Sequence, residues 1–263
     1  MPEVAKNILS LVVSIVVVHL LYVGIVWPES AQLIEAARAN GQSAPRAIVV
    51  ILKDWEQEIA IILMLWGLYL IAEKSFAILR ERYLFNVDLL EDGDGGDMAA
   101  TLRTLEALPE RIRRAPLVRT LMASLRRFLI TGDVHNTSET IEASVDVLAQ
   151  KQEAENSLIR YLIWAIPAIG FIGTVRGIGE ALSQADQALA GDIAGMTESL
   201  GVAFNSTFVA LLISIVLMFL LHQLQRLQDG LLVETQEYCE SFLLNRISVV
   251  DGNPGNTAGG GAS

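Results

Sequence analysis

Apolar runs long enough to cross a lipid bilayer constrain this chain more than any other feature. Residues 8–27 are predominantly apolar over about 20 positions, and at about 1.5 Å per residue such a helix crosses a hydrocarbon core of roughly 30 Å. Lys6 precedes this run, as it would in a secretory signal. The run is too long for the usual signal core, however, and no small-x-small cleavage site follows, so we expect an uncleaved helix over residues 1–27. Residues 158–177 and 200–221 form two further runs of spanning length. A fourth, at residues 59–72, is short. Carried on through Glu73 and Lys74 to Leu79 it reaches the required length, with those two charges snorkelling to the interface. Trp55, Trp66 and Tyr69 are aromatics of the kind that settle at headgroup level. The expectation is an all-α polytopic membrane protein with four transmembrane helices, at residues 1–27, 59–79, 158–177 and 200–221.

Composition agrees and removes several function classes. Of the 263 residues 52% are apolar and 19% charged, with a mean hydropathy of +0.44, which fits a membrane protein better than a large soluble domain. The net charge of −11 is spread through the polar segments, and no basic stripe points to nucleic acid. Cys239 stands alone, so it forms no internal disulfide. His19, His135 and His222 are far apart, and no catalytic or metal-binding motif is present. The run GFIGTVRGIG lacks the spacing of a nucleotide loop and follows no predicted strand. We therefore expect neither an enzyme nor a cofactor or metal. His19 is expected to be a helix-interface residue, because no acidic residue shares its segment.

Lysine and arginine set the expected orientation. Residues 74–160 hold 12 of the 19 basic residues, and Lys6, Arg226 and Arg246 lie at the two chain ends. Arg38, Arg46 and Lys53 fall in one opposite connection, and Arg176 lies at the end of the third span that adjoins the other. By the positive-inside rule both termini and the region 80–157 are cytoplasmic, and the connections 28–58 and 178–199 are external. Within the cytoplasmic region Val118, Leu121, Leu125, Phe128 and Leu129 recur at helical spacing. Residues 138–166 contain neither Gly nor Pro, which predicts one helix of about 29 residues, roughly 44 Å, rising into the third span. The fourth span should run on into a cytoplasmic helix over 222–250. The acidic-glycine run 91–97 predicts a flexible break, and the tail 251–263 a flexible end. The cluster Arg111, Arg113, Arg114, Arg119, Arg126 and Arg127 reads either as a solvated, positive-inside face or as a dock for an acidic partner.

Two threonines lie inside apolar helices, Thr174 in WAIPAIGFIGTVRGIG and Thr207 in VAFNSTFVALLISIVLMFLL, 33 residues apart. Around them small residues recur at helical spacing: Gly170, Gly173 and Gly177 on the third helix, and Ala203, Thr207, Ala210 and Ser214 on the fourth. Such stripes let membrane helices approach closely, and their hydroxyls bond across the interface. Membrane threonines also commonly bond only the carbonyl one turn back. The central parts of the four spans hold no Asp, Glu, Lys or Arg. Proton passage generally needs a titratable group, which a threonine hydroxyl does not supply. The residues alone thus describe an incomplete path that a partner helix must finish.

The string Pro167-x-x-Gly170-x-x-Gly173-Thr174-Val175-x-Gly177, followed by a helix carrying Thr207, resembles the MotA/TolQ/ExbB proton-channel family over about residues 156–225. Arg176 departs from the pattern, since many members carry an aromatic or apolar residue there. The resemblance implies a bacterial inner-membrane channel subunit of an ion-driven motor. It implies a ring of five around two copies of a single-span ExbD/TolR/MotB-like subunit whose membrane aspartate carries the proton. By that carry-over Thr174 and Thr207 line the pore, and Arg176 lies at the outer rim, where it pairs with Glu180, meets an acidic partner segment or snorkels. Pro167, which lacks a backbone donor, is expected to bend the pore helix. A threonine-lined pore with no further polar ligand fits H+ rather than Na+. The alternative from another class is a structural membrane scaffold whose small-residue stripes only pack helices. A secondary transporter is disfavoured, because no inverted repeat or interrupted helix pair is present.

Overall fold

Long helices built from apolar runs dominate the computed structural model, which describes residues 2–40, 45, 47–82, 98–191 and 193–244. Among the described residues there is no strand. The acidic-glycine run, the tail and residues 245–250 of the expected last helix lie outside them. In chain order the helices are α1 (Pro2–Leu21), α2 (Trp27–Ala39), α3 (Ile48–Ile51), α4 (Trp55–Glu81), α5 (Met98–Ala107), α6 (Glu110–Arg113), α7 (Pro116–Thr131), α8 (Val134–Ser183), α9 (Ala185–Leu189) and α10 (Ala194–Tyr238). A π-helical turn, Tyr22–Val26, joins α1 to α2, and a second, Cys239–Leu244, follows α10. Four stretches are long and apolar enough to cross a membrane: Val4–Ala39, Trp55–Glu81, Val134–Ser183 and Ala194–Ser241. The chain is an all-α polytopic membrane protein.

Two compact units divide the residues. The first comprises Met1–Lys74 and Ser157–Gln223, and it contains the most apolar parts of the four long helices. Only 17% of the apolar window of the first stretch is buried, against 39% for the last, so α1 lies at the periphery of this unit and α10 in its interior. α1 and α4 run antiparallel, tied by a Lys6–Glu73 ion pair near one end and by His19 Nδ1 to Glu58 Oε1 at 2.8 Å near the other. Between them Trp66 Nε1 donates to Ser10 Oγ at 3.2 Å, a bond that helps pair the two helices. Val18, Tyr22 and Val26 pack against Leu52, Ile61, Ile62 and Leu65. The π-helical turn carries two of those core residues just ahead of Pro28, and the helix continues beyond it through Ala39. Helix α4 starts at Trp55, four residues before the apolar run that marks it in the sequence. Asp54, Glu56, Gln57 and Glu58 therefore belong to its first turn and approach rather than to a solvated connection.

The second unit comprises Ser75–Asn156 and Leu224–Ser263. Its core is Met98, Leu105, Leu117, Val118, Leu121, Leu125, Ile141, Tyr238 and Cys239. Helix α7 begins with Pro116 in its first turn, where a missing N–H costs nothing, and stops at Gly132 with φ 63°, whose N–H closes on Phe128 O at 2.7 Å. Leu117, Val118, Leu121 and Leu125 are buried along one face, whereas Leu129 on the same stripe emerges near the helix end, 45% exposed. Asn156 and Gln228, both buried, exchange hydrogen bonds of 2.6 and 3.4 Å, so these two core amides are paired.

Candidate functional site

The close approach of α8 and α10 begins with residues that have almost no side chain. The helices pack antiparallel, with Gly177 against Ala203, Gly173 against Ser206, and Gly170 against Ala210. A Cβ on Gly170 would fall 2.5 Å from that of Ala210 and 2.9 Å from Ser206 O. On Gly173 it would fall 2.5 Å from both Ser206 Cβ and Oγ, and on Gly177 2.7 Å from Ala203 N and Ser199 O. Carbon contacts normally settle at 3.5–4.0 Å, so these three glycines permit a helix separation that no other residue would. Ala203, Ala210 and Ser214 are buried on the facing side.

That separation brings Thr174 and Thr207 together. Their hydroxyls are hydrogen-bonded to each other. Thr174 Oγ1 lies 3.1 Å from Ala203 O, the carbonyl one turn before Thr207, and Thr207 Oγ1 lies 3.3 Å from Gly170 O, the carbonyl one turn before Thr174. Thr174 Oγ1 is also 3.3 Å from Gly170 O on its own helix. The two side chains form a crossed bridge between helices, beyond the one-turn-back bond a lone membrane threonine makes. Each hydroxyl has one proton and two acceptor lone pairs, and the two protons are engaged by the mutual bond and the facing carbonyls. The half-buried pair thus keeps acceptor capacity for a protonated carboxyl or water at its edge.

Two turns further along α10 the proline problem of α8 is solved. Pro167 has no N–H for the carbonyl of Ile163, yet α8 continues through it. Ser214 Oγ donates to Ile163 O at 3.0 Å, supplying the bond the backbone lost. Pro167 and Ser214 therefore act as a matched pair.

At the opposite end of the seam Arg176 is held by three carboxylates. Its Nε and Nη2 reach Glu56 Oε1 and Oε2 at 2.6 and 2.9 Å, Nη1 reaches Glu180 Oε1 at 3.0 Å, and Nη2 reaches Asp54 Oδ1 at 3.3 Å. The fork onto Glu56 is bidentate, the geometry in which a guanidinium and a carboxylate bond most strongly. The Glu56 side chain is fully buried, and its Cγ lies 3.2 Å from where a Gly173 Cβ would be. Burial pushes the Asp54 carboxyl above its ordinary range, an effect that Lys53 and Arg176 oppose. Beside Glu56, buried Gln57 donates from Nε2 to Ser206 Oγ at 3.2 Å, and Ser206 adjoins Thr207.

The structure thus joins every residue of the sequence-derived site to one seam. Glu180 and Arg176 meet each other, and both threonines, the three glycines, Ala203, Ala210, Ser214 and Pro167 lie along α8 and α10. Sequence reasoning missed Asp54, Glu56, Gln57 and Ser206, whose partners lie on other helices, and the acidic partner of His19. Charged residues directly ahead of a short apolar run were the available signal. The basic cluster in the second unit is partly paired, through Arg126–Glu106 at 2.6 Å and an Arg114–Glu110 contact. Arg119 and Arg127 line an open groove of about 630 Å³ with Asn136, Thr140 and Lys151.

Comparison with known proteins finds one family. The profile described as the MotA/TolQ/ExbB proton channel family matches residues 112–237, a segment that includes α7, α8 and nearly all of α10 but neither α1 nor α4. Comparison with curated proteins and with solved structures gives no match.

Proposed function

We propose, from the match of residues 112–237 to the MotA/TolQ/ExbB proton channel family, that this chain is the channel-forming subunit of a motor driven by the proton-motive force. Five copies surround a dimer of a single-span ExbD/TolR/MotB-like partner in a bacterial inner membrane. Both chain termini and the region 80–157 face the cytoplasm. Thr174 and Thr207 line the ion path, and the membrane aspartate of the partner supplies the carboxyl they address. Proton flow then turns one component against the other.

The observation that carries this reading is the crossed Thr174–Thr207 bridge. Packing alone would be served by alanine or serine bonded one turn back. Here two hydroxyls sit half-buried at the seam edge, bonded to each other with capacity to spare. Exposed Phe171, Val175, Phe204, Phe208 and Leu211 on the same two helices present apolar surface for neighbouring copies and lipid. Arg176 and Glu180 form the outer rim, and Pro167 with Ser214 shapes the pore helix.

The scaffold reading draws on the glycine contacts, which would pack helices in any membrane protein. Co-expression with a single-span ExbD/TolR/MotB-like subunit, followed by native mass spectrometry, separates the two. Five copies holding two of the partner is the result expected here, and an oligomer that never retains a partner favours the scaffold.

A further inference from the structure

The first turn of α4 carries more protonatable groups than its role in packing explains. Glu58 and Glu56 point to opposite sides of that turn. Glu56 goes to Arg176, as described. Glu58, only 8% exposed, meets His19 of α1 at 2.8 Å. His19 in turn stacks edge-on against Trp27, ring centroids 5.9 Å apart. Tyr22, one turn beyond His19 and fully buried, presents a hydroxyl with no hydrogen-bond partner. That hydroxyl lies within electrostatic reach of the Glu58 and Asp54 carboxylates. On the far side of the same turn, Gln57 is 1% exposed and its Oε1 also has no partner. Two orphaned buried polar atoms therefore flank one cluster of acids. A buried polar atom without a partner is costly, and native structures keep few of them.

Charge counting points the same way. Asp54, Glu56, Glu58 and Glu180 face Arg176 and His19. Lys53 is taken by Glu198, together with Arg38. Counted together and leaving His19 aside, the five carboxylates Asp54, Glu56, Glu58, Glu180 and Glu198 stand against the three cations Arg176, Lys53 and Arg38. That excess of negative charge, with Glu56 and Glu58 buried, favours the uptake of a cation or a proton. Depth favours the proton. The Lys6–Glu73 and His19–Glu58 pairs are separated by residues 6 to 19 on α1, about 20 Å of helix, which is less than the roughly 30 Å of a bilayer core. Placed with Lys6 at one interface, the His19–Glu58 pair sits inside the apolar layer.

We propose that Glu58, with His19 and the Tyr22 hydroxyl, is a proton-loading site of this chain, distinct from the threonine seam and from any carboxyl a partner contributes. A hydronium ion reaching the 54% exposed His19 side chain from the nearer interface gives its proton to the ring nitrogen turned away from Glu58 and leaves as water. The Nδ1 proton passes along the 2.8 Å bond to the Glu58 carboxylate, leaving His19 neutral in its other tautomer. The Tyr22 hydroxyl, unpartnered in this structure, is the buried donor that turns to the charged carboxylate once the site loads. Gln57, the neighbouring residue, touches Ser206 beside Thr207, so loading site and seam share one helical turn. This rests on the channel reading above, although the residues involved lie outside the segment that matches the family.

The test is proton uptake into liposomes containing the assembled complex of this chain with its single-span partner. Glu58→Gln keeps the shape and hydrogen bonding of the side chain but holds no exchangeable acid proton. We expect it to lower flux at least tenfold, with subunit composition by native mass spectrometry unchanged. Tyr22→Phe should lower flux severalfold, and Glu58→Asp should restore part of it. Wild-type flux in Glu58→Gln, alongside lost flux in Thr174→Val/Thr207→Val, would overturn the loading site and leave the channel reading standing. Disassembly of the complex by Glu58→Gln would also overturn it, because the residue would then be structural. No flux in the wild-type complex, or wild-type flux in the threonine variant, would remove the channel reading itself.

Discussion

Replacing Gly173 by alanine should separate α8 from α10, and the size of the effect follows from the contacts. The new methyl carbon would lie 2.5 Å from Ser206 Cβ and Oγ and 3.2 Å from Glu56 Cγ. The Ser206 hydroxyl can rotate away, but its Cβ is fixed to the helix, so α10 must retreat by about 1 Å to reach a normal contact. Overpacking of this kind costs about 1–3 kcal/mol. The same retreat stretches the 3.1 Å contact of Thr174 with Ala203 O and the 3.0 Å bond from Ser214 to Ile163 O beyond useful length. In membrane proteins such bonds contribute about 0.6 kcal/mol each on average. Against this stands about 0.5–1 kcal/mol gained by replacing glycine with alanine within a helix. The net expectation is about 1–4 kcal/mol of destabilisation. Gly179 on the same helix has nothing within 4 Å of its added carbon, so Gly179→Ala should show only the gain of about 0.5–1 kcal/mol. Unfolding of the chain in mixed micelles by increasing SDS fraction, followed by circular dichroism, measures both variants. Equal stability for Gly173→Ala and Gly179→Ala would refute the close-contact argument.

Other expectations follow from single contacts. Ser214→Ala leaves the Ile163 carbonyl without a donor and should cost about 0.6–1.7 kcal/mol. Adding Pro167→Ala returns a backbone N–H and should recover most of the loss, which a double-mutant cycle on the same unfolding assay reads directly. Arg176→Met strips buried Glu56 of its counter-charge and should destabilise the fold by about 3–5 kcal/mol, with Arg176→Met/Glu56→Leu markedly more stable than the single variant. Gly132→Ala forces a side chain into the left-handed region at φ 63° and should cost about 1–2 kcal/mol, lowering the denaturation temperature measured by circular dichroism.

What was legible in the sequence follows from the range of each interaction. Thr174 and Thr207 stood out because a hydroxyl in an apolar helix is conspicuous, and the glycines because their spacing of three and four marks one helix face. Residues 138–166 read as one helix for want of Gly and Pro, and α8 runs further in both directions, from Val134 to Ser183. Glu56 and Glu58 were assigned to a connection because charges at the head of a short apolar run lower its hydropathy, so the run seems to start late. Their burial depends on Arg176, 120 residues away, and on His19, 39 residues away. No local pattern announces pairings at that distance. His19 read as a plain interface residue for the same reason: its carboxylate comes from another helix. The π-helical turn Tyr22–Val26 had no sequence signal beyond the nearby Pro28. Ser214 was legible as a small residue, but its service to the Ile163 carbonyl required the register of α8 against α10.

The central claim is that the hydroxyl pair at the α8–α10 seam conducts rather than merely packs. Proton flux into liposomes, driven by an imposed potential and compared between the wild-type complex and Thr174→Val/Thr207→Val, tests it most directly. Valine keeps the branched shape and removes only the hydroxyl chemistry. The account predicts loss of flux with the same subunits retained at the same ratio. Undiminished flux, or a complex that falls apart without its threonines, would contradict it.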